Sequence, residues 1–139
     1  MRALILALLT SFSLSAPLQA QEQQPVFDSY EDMRRVMDQL IVTRQVQELM
    51  VRFGGGDEMT VAQLNDLDAT VERLYPNNFE NVAVMRRLQH GGGFTQELLV
   101  YWTGLNYLYV YVFYHDRGGE VVSINFRFNS DYAKLTGLF

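Results

Sequence analysis

The chain has no cysteine. That removes disulfides, thiolate nucleophiles, thiolate metal ligands and a lipid-attachment cysteine together. Histidine is nearly as scarce, with only His90 and His115. On the strand assignments below they sit two strands apart, about 10 Å, too far to share a metal ion. Serine beyond the first twenty residues is limited to Ser29, Ser123 and Ser130. None has the strand-turn-helix setting of a hydrolase nucleophile. Neither glycine triplet, 54–56 or 91–93, is followed by Lys-Ser or Lys-Thr, so there is no phosphate loop. Asn65, Asp66 and Asp68 do not continue into a calcium loop, because Val71 and Asn77 stand where glycine and glutamate are needed. They read as the wet side of a helix. No metal and no cofactor is expected.

Long apolar runs are also missing. The longest, 3–14, is about a dozen residues, short of the ~20 needed to cross a bilayer. Arg2 precedes it, and Ser15-Ala16-Pro17-Leu18-Gln19-Ala20 follows it, ahead of a polar run. This is the pattern of a secretory signal peptide, 1–20, cut after Ala20. The protein is therefore expected in the periplasm or secreted, with no membrane span after cleavage. Residues 21–27 read as a flexible lead-in and 28–139 as a single domain. Basic residues are outnumbered, 11 against 16 acidic, for a net charge of −5. An acidic domain repels phosphate backbones and anionic membrane surfaces, so nucleic acid is not an expected partner.

What is present is periodicity. Asp28 with Glu31 marks a helix start. Met33, Val36, Met37 and Leu40 recur at helical spacing, and Val42, Val46, Leu49, Met50 and Phe53 continue the stripe. The spacing predicts one long amphipathic helix over 29–53, with Arg34, Arg35, Arg44 and Glu48 wet and the first glycine triplet as its stop. Thr60 and Gln63 form a capping-box pattern. Leu64, Leu67, Val71 and Leu74 supply a second stripe, and Pro76 ends it. A second helix is predicted over 61–74.

After residue 80 the period falls to two. Four strands are predicted: 80–90, 94–103, 106–115 and 120–129. Gly104-Leu105 suits a two-residue type II′ turn, and Arg117-Gly118 a second tight turn. These turns set the register, and register sorts side chains onto faces. One face collects Val82, Val84, Leu88, Phe94, Leu98, Val100, Trp102, Tyr107, Tyr109, Tyr111, Phe113, Val122, Ile124, Phe126 and Phe128. Its apolarity predicts that the helices cover it. The other carries Thr95, Glu97, Tyr101, Asn106, Ser123, Asn125 and Arg127 beside Leu99, Leu108, Val110 and Val112. Those four form an uncovered apolar patch, the expected surface for a homodimer or an envelope partner.

Two N-terminal helices packed on a curved four-stranded antiparallel meander sheet is an α+β design. The order of elements over 28–129, with YLYVYVFYHD followed by GGEVVSINFRF, resembles the NTF2-like superfamily. The chain departs from that pattern before Glu80, where an early strand pair and a third helix are missing. A cystatin-like two-layer arrangement answers the same order. The resemblance implies a pocket between sheet and helices and no particular chemistry.

Candidate residues follow from the register. Arg86 falls beside Leu98 and Tyr111, and Gln96 beside Phe113. With Trp102, Tyr107, Tyr109 and Tyr111 they make the expected lining for a small apolar ligand, the tyrosines bringing three hydroxyls that need partners. His90, Phe94, His115 and Glu120 fall in one row at the hairpin end. His115 held by Glu120 is the one arrangement suited to general-base work. The bland alternative is that both flank an exposed turn and that Arg86 snorkels to water. The expected role is a non-catalytic exported binding module. The alternative is a cofactor-free isomerase or hydrolase working from the pocket.

Overall fold

The computed structural model describes residues 24–139, so the expected signal peptide lies outside the described residues. The fold is α+β. A five-stranded antiparallel sheet, ordered β1-β5-β4-β3-β2, carries four helices. The elements are β1 (Val26–Phe27), α1 (Tyr30–Val42), α2 (Val46–Arg52), α3 (Val61–Leu74), β2 (Asn81–Gln89), β3 (Phe94–Thr103), β4 (Asn106–Asp116), β5 (Val121–Asn129) and α4 (Ala133–Thr136). Two helices and four strands were expected.

The stretch read as a single helix is two. Thr43 caps α1, and Arg44 turns into the left-handed region at φ 59°. Its N–H donates to the carbonyl of Ile41 and the N–H of Gln45 to that of Leu40. That is a Schellman ending, with arginine where glycine is usual. The side chain explains the exception. Arg44 Nη1 donates to the carbonyl of Tyr75 at 2.8 Å and Nη2 to Asn78 Oδ1 at 3.0 Å, tying the helix break to the exit of α3. Arg44 is thus not on a free wet face. The start of α2 has no side-chain cap of its own, and Asp68 Oδ1 accepts the Gln47 N–H at 3.1 Å. The N-terminal cap of α1 is Ser29, not Asp28, with its Oγ accepting from Asp32 N–H at 3.0 Å. The α3 boundaries and capping box match expectation.

The fifth strand comes from the expected lead-in. Val26 and Phe27 pair with Val122 and Val121. Phe27 is buried, with the Arg52 guanidinium 3.9 Å above its ring.

The β3–β4 register is the predicted one, from Thr103↔Asn106 to Phe94↔His115. Gly104 has φ 58° while Leu105 is not at positive φ, as a II′ turn requires. The other two pairings slip. The second hairpin closes as Asp116↔Val121 around four residues, and an irregularity at Phe113/Tyr114 leaves Ile124 unmatched. Tyr109 then faces Asn129 and Tyr111 faces Arg127, rather than Phe126 and Ile124. A second irregularity, between Val84 and Arg86, puts Val84 opposite Leu99. Each bulge moves the residues beyond it to the opposite face. Phe126 and Phe128 join the side of Val110 and Val112. Val82 and Val84 leave the aromatic side.

The helices cover the face that was expected to stay open. Leu99, Leu108, Val110 and Val112 are buried in one cluster with Met33, Met37, Leu40, Ile41, Val46, Leu49, Phe53 and Val71. The predicted homodimer patch is therefore this protomer's own core. The reason is shape: aliphatic side chains let helices approach closely, and the bulge adds two phenylalanines on that side. Four tyrosine and tryptophan rings with polar tips suit a surface that stays partly wet.

Arg44 supplies the test of this part. Glycine adopts the left-handed region without the roughly 1–2 kcal/mol penalty of an L side chain. Arg44→Gly and Arg44→Ala both lose the tether to α3, but only Arg44→Ala keeps the strain. Arg44→Ala should unfold at the lower urea concentration, separated from Arg44→Gly by about 1 kcal/mol. Equal midpoints would remove the strain argument.

Candidate functional site

Two polar constellations stand on opposite sides of the sheet. The first lies under the helices and centres on Glu97. This carboxylate is 0% exposed. A buried charge is tolerated only with partners, and Glu97 has them on both oxygens. Oε1 accepts from Arg87 at 2.5 Å and from the Tyr114 hydroxyl at 3.1 Å. Oε2 accepts from the Tyr30 hydroxyl at 3.2 Å, with Arg34 Nη1 at 3.6 Å. Arg87 also donates to the Tyr30 oxygen. Arg34 Nη2 donates to Asp38 at 3.2 Å, and Asp38 accepts the Tyr101 hydroxyl at 2.5 Å. Arg34, expected on the wet side of its helix, is thus bonded inward.

The hydroxyls in this network hold their protons. Burial, and then the charge of Asp38, push Tyr101 far above the ordinary tyrosine value. Burial, and then Glu97, raise Tyr114, and the same two influences raise Tyr30. Burial alone would weaken the Arg34 guanidinium, but Asp38 and the tyrosines outweigh it and its pKa is raised. With both oxygens engaged and no exposure, Glu97 fastens α1, β2 and β4 to β3. It is not presented to a substrate.

The second constellation is the open face. Every ligand-lining candidate lies there and not between sheet and helices: Arg86, Gln96, Trp102, Tyr107, Tyr109 and Tyr111. The pairings Arg86↔Leu98↔Tyr111 and Gln96↔Phe113 are as expected. Trp102 stacks on Tyr107 with centroids 6.5 Å apart, and Tyr107 is 40% exposed.

The centre of this face is covered by the C-terminal segment. Leu135 of α4 packs with Leu98 and Tyr111, flanked by Tyr109, Phe113 and Phe139. Tyr111 is consequently only 4% exposed. Phe139 meets Tyr111 edge-on at 5.5 Å, and Tyr132 meets Tyr109 at 5.4 Å. Gln96 fastens the segment: its Nε2 donates to the Leu138 carbonyl and to the Tyr111 hydroxyl, both at 2.8 Å. His90 Nε2 lies 2.8 Å from Gln96 Oε1.

Beside this cover an open hollow of about 430 Å³ remains, lined by His90, Phe94, Gln96 and Phe113. Phe94 lies stacked on His115 at 4.0 Å and next to Phe113 at 5.8 Å. The hollow is shallow and largely open to solvent, and is not an enclosed cavity. Sequence reasoning placed Phe94 and Phe113 on this face but did not see the hollow, because periodicity does not show how the C-terminal segment packs on the sheet.

The structure does not bring His115 and Glu120 together. His115 Nε2 lies 2.9 Å from the Gly92 carbonyl, and Glu120 pairs with Arg117 at 2.8 Å. Gly93 makes this end compact: at φ 85°, a Cβ there would lie 2.2 Å from the Asp116 carbonyl oxygen. Among the described residues no three His, Asp or Glu side chains converge in a way that could hold a metal ion, and no helix is long and apolar enough to cross a membrane.

Comparison of the chain with protein-family models, with curated proteins and with solved structures gives no match.

Two outcomes test the Glu97 network. Glu97→Gln leaves two guanidinium groups facing a neutral amide and should cost about 3 kcal/mol in urea unfolding, the low end for breaking a buried pair because Arg87 is 43% exposed. Arg35→Ala, which removes the solvent-facing Arg35–Asp32 pair, should change stability by no more than about 0.5 kcal/mol. The second outcome concerns alkali. Tyrosine in the unfolded chain ionises near pH ~10, while Tyr101 and Tyr114 in the fold hold their protons to higher pH. The unfolded state then binds fewer protons, so stability is full below pH ~10 and declines above it, by up to ~1.4 kcal/mol per pH unit for each group. Tyr101→Phe should show a shallower decline between pH 10 and 11 than the parent, roughly by one group's share. An unchanged slope would break the assignment.

Proposed function

We propose that the protein is an exported, non-catalytic binding module of the NTF2-like kind that holds a small apolar ligand on the open face of its sheet. The observation that carries this reading is the side the helices take. They bury the mixed face and leave an aromatic face with a hollow at His90, Phe94, Gln96 and Phe113. An exposed aromatic patch of that kind on a folded domain marks a binding surface. The signal-peptide pattern of residues 1–20 supports the exported part of this reading. Catalysis has less support: His115 and Glu120 have other partners, and the buried carboxylate is fully engaged. An envelope protein docking on the same face is the second reading, favoured by exposed Tyr107 and Tyr132 and half-buried Trp102 beyond the hollow.

An uncharged fluorescent probe, phenylnaphthylamine, tests the first reading. The folded protein should enhance its emission saturably, with about one site per chain, and Phe113→Ala should weaken binding about tenfold or more, as loss of an aromatic wall does. Unfolding curves for the variant guard against loss of fold, and Phe94→Leu gives a milder second variant. No saturable enhancement, or affinity indifferent to both substitutions, would overturn the reading.

A further inference from the structure

The charge pattern of the open face goes further than its apolarity. The protein is acidic, net −5, yet no strand residue on that face is a carboxylate. The pairings send Glu97 and Asp116 to the helix side and place Arg86 and Arg127 on the open side. Of the acids that flank these strands in sequence, Glu120 pairs with Arg117 and Asp131 accepts the Ala133 N–H. Arg86 is different from the other guanidinium groups described above. It lies 4.6 Å over the ring of Phe139, and among the described residues no carboxylate or carbonyl takes its N–H groups. It is exposed, and it neighbours the hollow, since Arg86 pairs with Leu98 and Leu88 with Gln96. That puts it diagonal to Gln96, about 7–8 Å between backbones, within the reach of an arginine side chain.

Arg86 has no hydrogen-bonded acceptor among the described residues and stands at the rim of an apolar hollow, on a face whose strands carry no acidic side chain, so an anionic partner suits it. The geometry points to an anionic amphiphile as the ligand: a monocarboxylate with an aliphatic body, its chain against Phe94 and Phe113 and its carboxylate on Arg86. Guanidinium and carboxylate match in shape and charge, forming paired N–H···O bonds. The aliphatic body fits an aromatic floor without further polar partners, and the floor offers few, because both Gln96 Nε2 hydrogens are already donated to Tyr111 and Leu138. This assignment rests on the proposed ligand-binding role and adds the ligand's charge. His90 and His115 border the hollow, and Arg127 lies across Tyr111; all three are neutral or cationic, so none opposes an anion.

The experiment compares dodecanoate with dodecanol, both below the concentration at which they aggregate, by calorimetry and by displacement of phenylnaphthylamine. Dodecanoate should bind one per chain, more tightly than the alcohol and with an affinity that falls as salt is raised. Arg86→Gln, on an exposed strand where folding is not at risk, should weaken dodecanoate about tenfold or more and leave dodecanol within about twofold, tenfold being ~1.4 kcal/mol. Phe113→Ala should weaken both. If the two ligands bind alike and Arg86→Gln moves neither, the anionic assignment is wrong while the apolar site stands. If neither binds, or binding exceeds one per chain without saturating, the assignment and the ligand-binding role fall together.

Discussion

The carboxylate of Glu97 sets which way the sheet faces. It sits in the middle of β3, among Leu99 and Tyr101, with no solvent exposure. A charge there without partners would be pushed toward protonation or would unfold the layer. Partners arrive from three directions: Arg87 on the neighbouring strand, Tyr114 on the other, and Tyr30 with Arg34 on α1. Only helices packed on this face bring Arg34 and Tyr30 to it. The apolar core beneath α1, built on Met33 and Met37, and the ion network beside it are therefore one arrangement, not two. Reversing the face would leave Glu97 in water and Arg34 with only Asp38 of its own helix.

That dependence also explains where reading the chain alone goes astray. A glutamate, a serine and a threonine on one strand parity look like a wet surface, because periodicity reports residue type and not whether a partner is in reach. Glu97 counts as polar in the pattern and as core in the fold. Short-range features fared differently. The α3 capping box and the proline that ends the helix lie within a few residues of what they control, and the bounds 61–74 hold. The β3–β4 register follows from a two-residue turn, so Trp102 meets Tyr107 and Val100 meets Tyr109 as expected. Bulges leave no comparable mark. Nothing in Val84-Met85-Arg86 or Ser123-Ile124-Asn125 announces an extra residue, yet each insertion reverses the face of everything past it. The helix break at Arg44 was hidden for the same reason. Its αL conformation is held by Tyr75 and Asn78, more than thirty residues away.

The site residues were legible in one sense and not in another. Arg86 beside Tyr111, and Gln96 beside Phe113, are neighbours as the pattern says. What they border depends on a segment whose packing no pattern shows. Leu135 and Phe139 settle on Leu98 and Tyr111, turning the middle of an aromatic sheet face into a small second core. The tyrosines then divide by position. Tyr111, beneath the segment, accepts the Gln96 Nε2 hydrogen at its hydroxyl oxygen. Tyr107, beyond the segment, stays half in water.

The separation of charge across the sheet is the same constraint carried one step further. The helix side needs cations to accommodate Glu97 and Asp38, and it takes Arg34 and Arg87 for that purpose. Arg86 follows Arg87 directly in reverse order along β2, so alternation must send it to the other side. No strand residue on that side is Asp or Glu, and Glu97 points the other way. Arg86 is left with an aromatic ring instead of a counter-ion. A cation in that position is balanced only weakly by a ring face, about 0.5–1 kcal/mol when exposed, and a carboxylate from outside the chain would balance it better. One glutamate is thus buried with its cations on one face, while an arginine on the other is left without a counter-ion.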